Sequence, residues 1–200
     1  MAAPIDFYFD FSSPYGYLAS ERIDALAARH GRSVVWRPFL LGAVFKTTRT
    51  EPLLNIPLKG DYARRDIERS ARALGVPYRL PESFPFLSVA ACRAFYWLAG
   101  ERPDLARDLA QALYRRAFAE GGDISRADSV VAVAEGLGVE RPALEAALQD
   151  AEVKDRLRRE VEAAVATGVF GSPFMVVDGE PFWGNDRLDA VERWLETGGW

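Results

Sequence analysis

Ile5, Phe7, Phe9 and Phe11 share one parity of the chain, while Asp6, Tyr8 and Asp10 take the other. An alternation of period two marks a strand, and aromatics on both parities predict a central one covered on both faces. After Pro14 the period lengthens, with Ala19, Ile23, Leu26 and Ala27 on one helical face and a stop near Gly31. Residues 33–39 (SVVWRPF) read as a second strand, one helix-length downstream and therefore parallel to the first. Pro38 has no N–H to give to a ladder, so this strand is expected at a sheet edge.

From 41 to 60 the pattern fades, and Pro52 and Pro57 predict a long surface loop. A helix is expected over 61–74, with Ala63, Ile67, Ala71 and Leu74 inward and the pairs Asp61/Arg65 and Glu68/Arg72 spaced for contact outside. The proline-rich run 75–86 reads as a connection. Helical periods follow over 87–99, 104–119, 126–137, 143–148 and 151–167, with Ser125 and Arg141-Pro142 as start signals. Strand patterns return at 174–177 and 181–183, around Asp178-Gly179, a two-residue hairpin signal. A last helix over 186–195 turns Leu188, Val191 and Leu195 inward.

The order is βαβ, a block of helices, then ββα. That is the thioredoxin-like α/β arrangement, a four-stranded sheet interrupted by an all-helical insertion. Residues 1–45 and 167–200 are expected to form the thioredoxin-like domain and residues 46–166 the helical insertion domain. Composition narrows the function classes. The net charge of −4 and the pI of about 5.2 argue against nucleic acid and anionic membrane as partners. No apolar run is long enough to span a bilayer, and MAAPIDFYFD does not read as a signal peptide. The single cysteine, Cys92, excludes a CxxC pair and fits a reducing cytoplasm; with one histidine beside it, no zinc site is expected.

In this arrangement the active group sits where the first strand passes into the first helix. Here that point reads Ser13-Pro14-Tyr15-Gly16. Pro14 suits a first helical turn, and Ser13 suits the N-cap before it. Capping is the plain reading of Ser13. The chemical reading is a hydroxyl that donates to an anion, since no histidine or GxSxG context activates it as a nucleophile. A thiolate brought in by a cofactor is such an anion. Gly171-Ser172-Pro173-Phe174 stands before the third strand, where a cis-proline would face that helix, an ordinary trans proline being the plain alternative. Asn185 or Asp186 can cap the last helix, which is the plain reading; a free carboxylate there could instead receive a ligand ammonium group.

At these places together the chain resembles the 2-hydroxychromene-2-carboxylate isomerase family, kin of the kappa-class glutathione transferases and the DsbA oxidoreductases. The likeness rests on DFYFDFSSPYGYLA, on RPFLLGAVFK with Pro57, Lys59 and Gly60, and on VFGSPFMVVDGEPFWGNDRL. It implies glutathione as cofactor, with Ser13 at its sulfur, Pro14 and Tyr15 beside it, and Ser172 before cis-Pro173 along its backbone. Asn185 and Asp186 would hold the γ-glutamyl end and Lys59 the glycyl carboxylate. Lys46 is a candidate for the substrate carboxylate. Phe84 and Phe86, with Phe11, Tyr15 and Phe45, are candidates for an apolar slot, against the plain reading of each as core. The kappa-class asparagine before the loop prolines is absent; Thr50 stands there and Asn55 lies beyond.

The implied reaction interconverts 2-hydroxychromene-2-carboxylate and trans-o-hydroxybenzylidenepyruvate in aromatic hydrocarbon breakdown, in a cytoplasmic homodimer. A glutathione transferase shares every one of these residues. A glutathione- or peptide-binding module without turnover is the reading from outside enzymology. His30 at a helix end and Cys92 on an apolar face read as structural.

Overall fold

The computed structural model describes residues 3–200, the side chain of Lys46 excepted. Its strands are β1 (Ile5–Phe9), β2 (Val34–Pro38), β3 (Phe174–Val177) and β4 (Glu180–Trp183). They form one sheet in the order β2-β1-β3-β4, with β1 parallel to β2 and antiparallel to β3, and β3 antiparallel to β4. β1 is central and β2 an edge, as the aromatic alternation and Pro38 predict. The helices are α1 (Pro14–Ser20), α2 (Ile23–Arg29), α3 (Leu41–Thr48), α4 (Lys59–Leu74), α5 (Val89–Ala99), α6 (Pro103–Tyr114), α7 (Ala127–Glu135), α8 (Arg141–Gln149), α9 (Ala151–Ala166) and α10 (Leu188–Thr197). The fold is thioredoxin-like, with helices inserted between β2 and β3.

The two parities of β1 serve two cores. Ile5, Phe7, Phe9 and the following Phe11 are fully buried. Phe7 and Phe9 stack at 5.3 Å, and Trp36 stands edge-on to Phe7 at 5.1 Å. Tyr8 faces the other way, into a cluster with Phe39, Val44, Ala164, Val169 and Phe174. The larger cluster joins Phe9 and Met175 of the sheet to Phe95, Leu109 and Tyr114 of the inserted helices, so both segments of chain feed one apolar core. The β3–β4 hairpin turns on Asp178 (φ 53°) and Gly179 (φ 90°), the paired positive φ of a tight two-residue turn.

Three expectations need correction. The helix expected from Pro14 to Gly31 breaks after Ser20, whose hydroxyl donates to the Tyr17 carbonyl at 2.7 Å. The loop expected over 41–60 contains α3 and a 3₁₀ turn at Leu53–Asn55, and α4 already starts at Lys59. α3 has no capping side chain of its own; its first N–H is received by the Asp10 carboxylate at 2.7 Å, from across the fold. Finally, the helix expected over 104–119 widens after Tyr114 into a π-helical turn, Arg115–Ala119. Among the described residues no helix is long and apolar enough to cross a membrane.

Candidate functional site

The site begins at the four-residue passage from β1 into α1. The Ser12 N–H donates to Asp10 Oδ1 at 2.8 Å and the Ser13 N–H to the Asp10 carbonyl at 2.9 Å, which turns the chain sharply. Ser13 is the N-cap of α1, with Pro14 in the first turn, and its Oγ accepts the Gly16 N–H at 3.0 Å. The capping reading is therefore realised. The same hydroxyl does a second thing: it donates across 159 residues to the Ser172 carbonyl at 2.8 Å.

That bond joins the first motif to the second. The Ser172–Pro173 peptide bond is cis, as the sequence suggested. Ser172 Oγ accepts the Asp10 N–H at 3.0 Å. The Pro173 carbonyl accepts the Gly184 N–H at 3.0 Å, which ties the third motif to the second. Next in the chain, Asn185 opens a 3₁₀ turn (Asn185–Arg187) that packs against α1. Asn185 is 8% exposed, and its Oδ1 is buried with no hydrogen-bond partner among the described residues. Asp186 is exposed, 3.2 Å from the Arg187 guanidinium.

The remaining predicted residues divide. α4 packs against α1, and Tyr15 on α1 donates its hydroxyl to Asp66 Oδ2 on α4 at 2.8 Å. Burial holds the Tyr15 phenol well above its usual range, with the Asp66 hydrogen bond and charge adding to it. Among the described residues the ion pair on α4 is Asp66–Arg69, not the expected Asp61–Arg65 or Glu68–Arg72, and Asp66 also receives the Tyr15 hydroxyl. Lys59, the first residue of α4, is exposed. Thr50 and Asn55 are exposed as well. The backbone of Lys46 lies in α3, and its side chain falls outside the described residues. Phe84 and Phe86 meet edge to face at 6.3 Å, and Phe86 lies 6.1 Å from Phe118 in the main core. Phe11 is fully buried against Tyr114 at 5.3 Å and has no surface to offer a ligand.

Three residues beneath the site were missed in the sequence. Asp10 is 3% exposed, and its carboxylate receives the Ser12 and Leu41 N–H groups and the Ser88 hydroxyl. Burial pushes its pKa up while those hydrogen bonds oppose the shift. Ser88 is the N-cap of α5, yet its hydroxyl goes to Asp10 at 2.7 Å rather than to its own helix. Tyr114 donates its hydroxyl to the Asp10 carbonyl at 2.9 Å, just before the π-helical turn. A Cβ on Gly16 would stand 2.4 Å from the Tyr114 hydroxyl oxygen, so only glycine fits over it. The only local sign of this network was an acid between aromatics, FYFDFSS. Cys92, 3.8 Å from Ser88 Oγ, is held as a neutral thiol by burial, with the nearby Asp10 charge adding, and has no thiolate to offer. Among the described residues no group of His, Cys, Asp and Glu could hold a metal ion.

Comparison with known proteins bears on the fold and the family. The DsbA-like thioredoxin domain matches residues 4–196. The chain is 33% identical to a 2-hydroxychromene-2-carboxylate isomerase of Sphingobium xenophagum, over 98% of this chain and 99% of that one. It is 31% identical to glutathione S-transferase kappa 2 of Caenorhabditis elegans, over 96% and 91% of the two chains. A solved 2-hydroxychromene-2-carboxylate isomerase superposes with a TM-score of 0.86 at 30% identity, covering 96% of this chain and 94% of that one.

Proposed function

From a chain that belongs to the DsbA-like thioredoxin family, and within it to the 2-hydroxychromene-2-carboxylate isomerases, we propose a glutathione-dependent isomerase of an aromatic ring-opening intermediate. That the protein is an isomerase follows from full-length likeness to enzymes of that name. The use of glutathione, the substrate pair and a place in aromatic hydrocarbon breakdown are the proposal. The observation that carries it is the 2.8 Å bond from Ser13 Oγ to the Ser172 carbonyl, which sets a hydroxyl donor beside the cis-proline segment.

The residues present fit the tripeptide on one independent point. Asn185 Oδ1 is a buried acceptor with nothing to accept from, and an ammonium group supplies what it lacks. In this reading Asn185 and the Asp186 carboxylate take the γ-glutamyl end, the Ser172 backbone takes the cysteinyl unit, and Lys59 takes the glycyl carboxylate. Pro14 and Tyr15 flank the sulfur. Bound glutathione would supply the sulfur that adds reversibly to the conjugated double bond, allows rotation, and leaves with the bond restored. The task of this chain is to hold that sulfur as an anion. Ser13 does so by turning its O–H from the Ser172 carbonyl to the sulfur, while its oxygen keeps the Gly16 N–H. No general base is required of the protein, because the thiol proton passes to water once hydrogen bonding to the anion lowers the thiol pKa.

The same reading takes the protein as a cytoplasmic homodimer acting on a small aromatic carboxylate, with Lys46, Phe84 and Phe86 on the substrate side. The 31% identity to a kappa-class transferase favours one second reading, in which glutathione is added to an electrophile and retained. Product analysis separates the two. Purified protein given 2-hydroxychromene-2-carboxylate is expected to equilibrate it with trans-o-hydroxybenzylidenepyruvate only when glutathione is present, with loss of that activity in Ser13→Ala. A stable thioether product would replace the isomerase reading by the transferase one, and no glutathione-dependent change would sink both.

A further inference from the structure

Asp10 uses every polar atom it has. Its N–H goes to Ser172 Oγ, and its carbonyl takes the Ser13 N–H and the Tyr114 hydroxyl. Oδ1 takes the Ser12 N–H and the Ser88 hydroxyl, and Oδ2 takes the Leu41 N–H. Both ends of the Ser13–Ser172 bond are thus anchored on the backbone of Asp10, and the carboxylate fixes that backbone by holding the Ser12 N–H, the Leu41 N–H and the Ser88 hydroxyl. We propose that Asp10 is a positioning residue that holds the Ser13 hydroxyl and the Ser172 carbonyl in register for a sulfur anion. This rests on the reading of Ser13 as the donor to bound glutathione.

The physical case has three parts. Asp10 has no salt-bridge partner among the described side chains, yet it stands where α3 and α5 begin, and the partial positive charge of helix starts stands in for a cation. Hydrogen bonds in so buried a place are expensive to break, so the Ser12–Ser13 turn cannot slide relative to Ser172 while Asp10 is in place. Positioning matters for the chemistry, since a donor misplaced by about 1 Å can cost about a hundredfold in rate. Ser13 sits at the tip of a short turn whose backbone N–H groups Asp10 receives.

Asp10→Asn tests this because it keeps size and shape. It places an amide N–H against either the Leu41 N–H or the Ser12 N–H and Ser88 hydroxyl, all of them donors. Two ligands separate positioning from plain loss of structure: glutathione, whose thiol titration is followed by ultraviolet thiolate absorbance, and S-methylglutathione, which has no thiol to ionise. In Asp10→Asn the thiol of bound glutathione is expected to titrate about one unit higher than on the unaltered protein, or about tenfold less thiolate at a given pH. The Kd for S-methylglutathione should stay within about twofold. If Asp10→Asn does not fold, Ser88→Ala removes one of the carboxylate's donors and should move the thiol titration in the same direction by a smaller amount. An unchanged titration in the variant that folds overturns the proposal, as does parallel loss of both ligands. If the unaltered protein binds no glutathione at all, the glutathione reading and this one fall together, which is a different result from either.

Discussion

Asp10 and Asn185 are both buried, at 3% and 8% exposure, and both belong to the motifs of the candidate site. Their hydrogen bonding could hardly differ more. The Asp10 carboxylate is met by the Ser12 N–H, the Leu41 N–H and the Ser88 hydroxyl, whereas Asn185 Oδ1 meets nothing. Buried polar groups in folded proteins are paired, so an orphan calls for a reason. In the proposed function the contrast divides the site into a half that the fold completes by itself and a half left for glutathione to complete. The Ser13–Ser172 bond lies on the boundary, satisfied in the free protein and able to be exchanged.

If the Asp10 half is architecture, its removal should be felt in stability before it is felt in binding. Asp10→Ala leaves two N–H groups and one hydroxyl without their acceptor. At about 1–3 kcal/mol for each orphaned buried donor, partly relieved by entering water, the expected loss of unfolding free energy is about 4 kcal/mol. Urea unfolding measures it. A loss below about 1 kcal/mol would mean that the junction does not depend on this carboxylate, and the division drawn above would be wrong.

The same division explains what could be read from the chain alone. The central place of β1, the edge at Pro38 and the Asp178-Gly179 turn were legible because parity, a missing N–H and a tight-turn dipeptide are local signals. So was the cap at Ser13, because Pro14 follows it directly. α3 was not, because its capping group is Asp10, 31 residues away. Tyr114, 104 residues from Asp10, looked like one more apolar position on a helix, and nothing local marks the π-helical turn that follows it. The receiving half shows the reverse. Asn185 was noticed as a polar residue before a helix, but whether it is a satisfied cap or an empty acceptor depends on packing that no local pattern encodes.

Asn185→Leu puts that second half to the test, with a smaller effect in a different observable. Leucine is close in size and carries no orphan acceptor, so the ligand-free protein should hold its unfolding free energy or gain about 1 kcal/mol. Glutathione affinity should fall about tenfold, equivalent to about 1.4 kcal/mol, when read by calorimetry. A variant that loses stability and keeps its affinity would assign Asn185 to the scaffold and leave the ammonium without its acceptor.

The smallest effect concerns the tyrosines on the two sides. Burial holds Tyr114 well above the usual phenol range, with Asp10 adding to it, and pushes Tyr17 up to about 12 against an opposing pull from Arg115. An unfolded tyrosine ionises near pH 10, so the fold binds these protons more tightly than the unfolded chain does. Their contribution to stability is complete below about pH 10 and drains away as pH rises towards 12, because only the unfolded chain has then released the proton. Tyrosinate absorbance from Tyr17 and Tyr114 should therefore appear together with loss of helix in an alkaline titration. Tyr15 is different. It is only partly buried, and besides burial its upward shift comes from the Asp66 hydrogen bond and charge. Asp66→Asn should bring forward the absorbance of one tyrosine and leave the cooperative step of the others in place. If the whole alkaline transition moves instead, the α1–α4 contact is part of the closed core, and the boundary between the two halves lies further out than Tyr15.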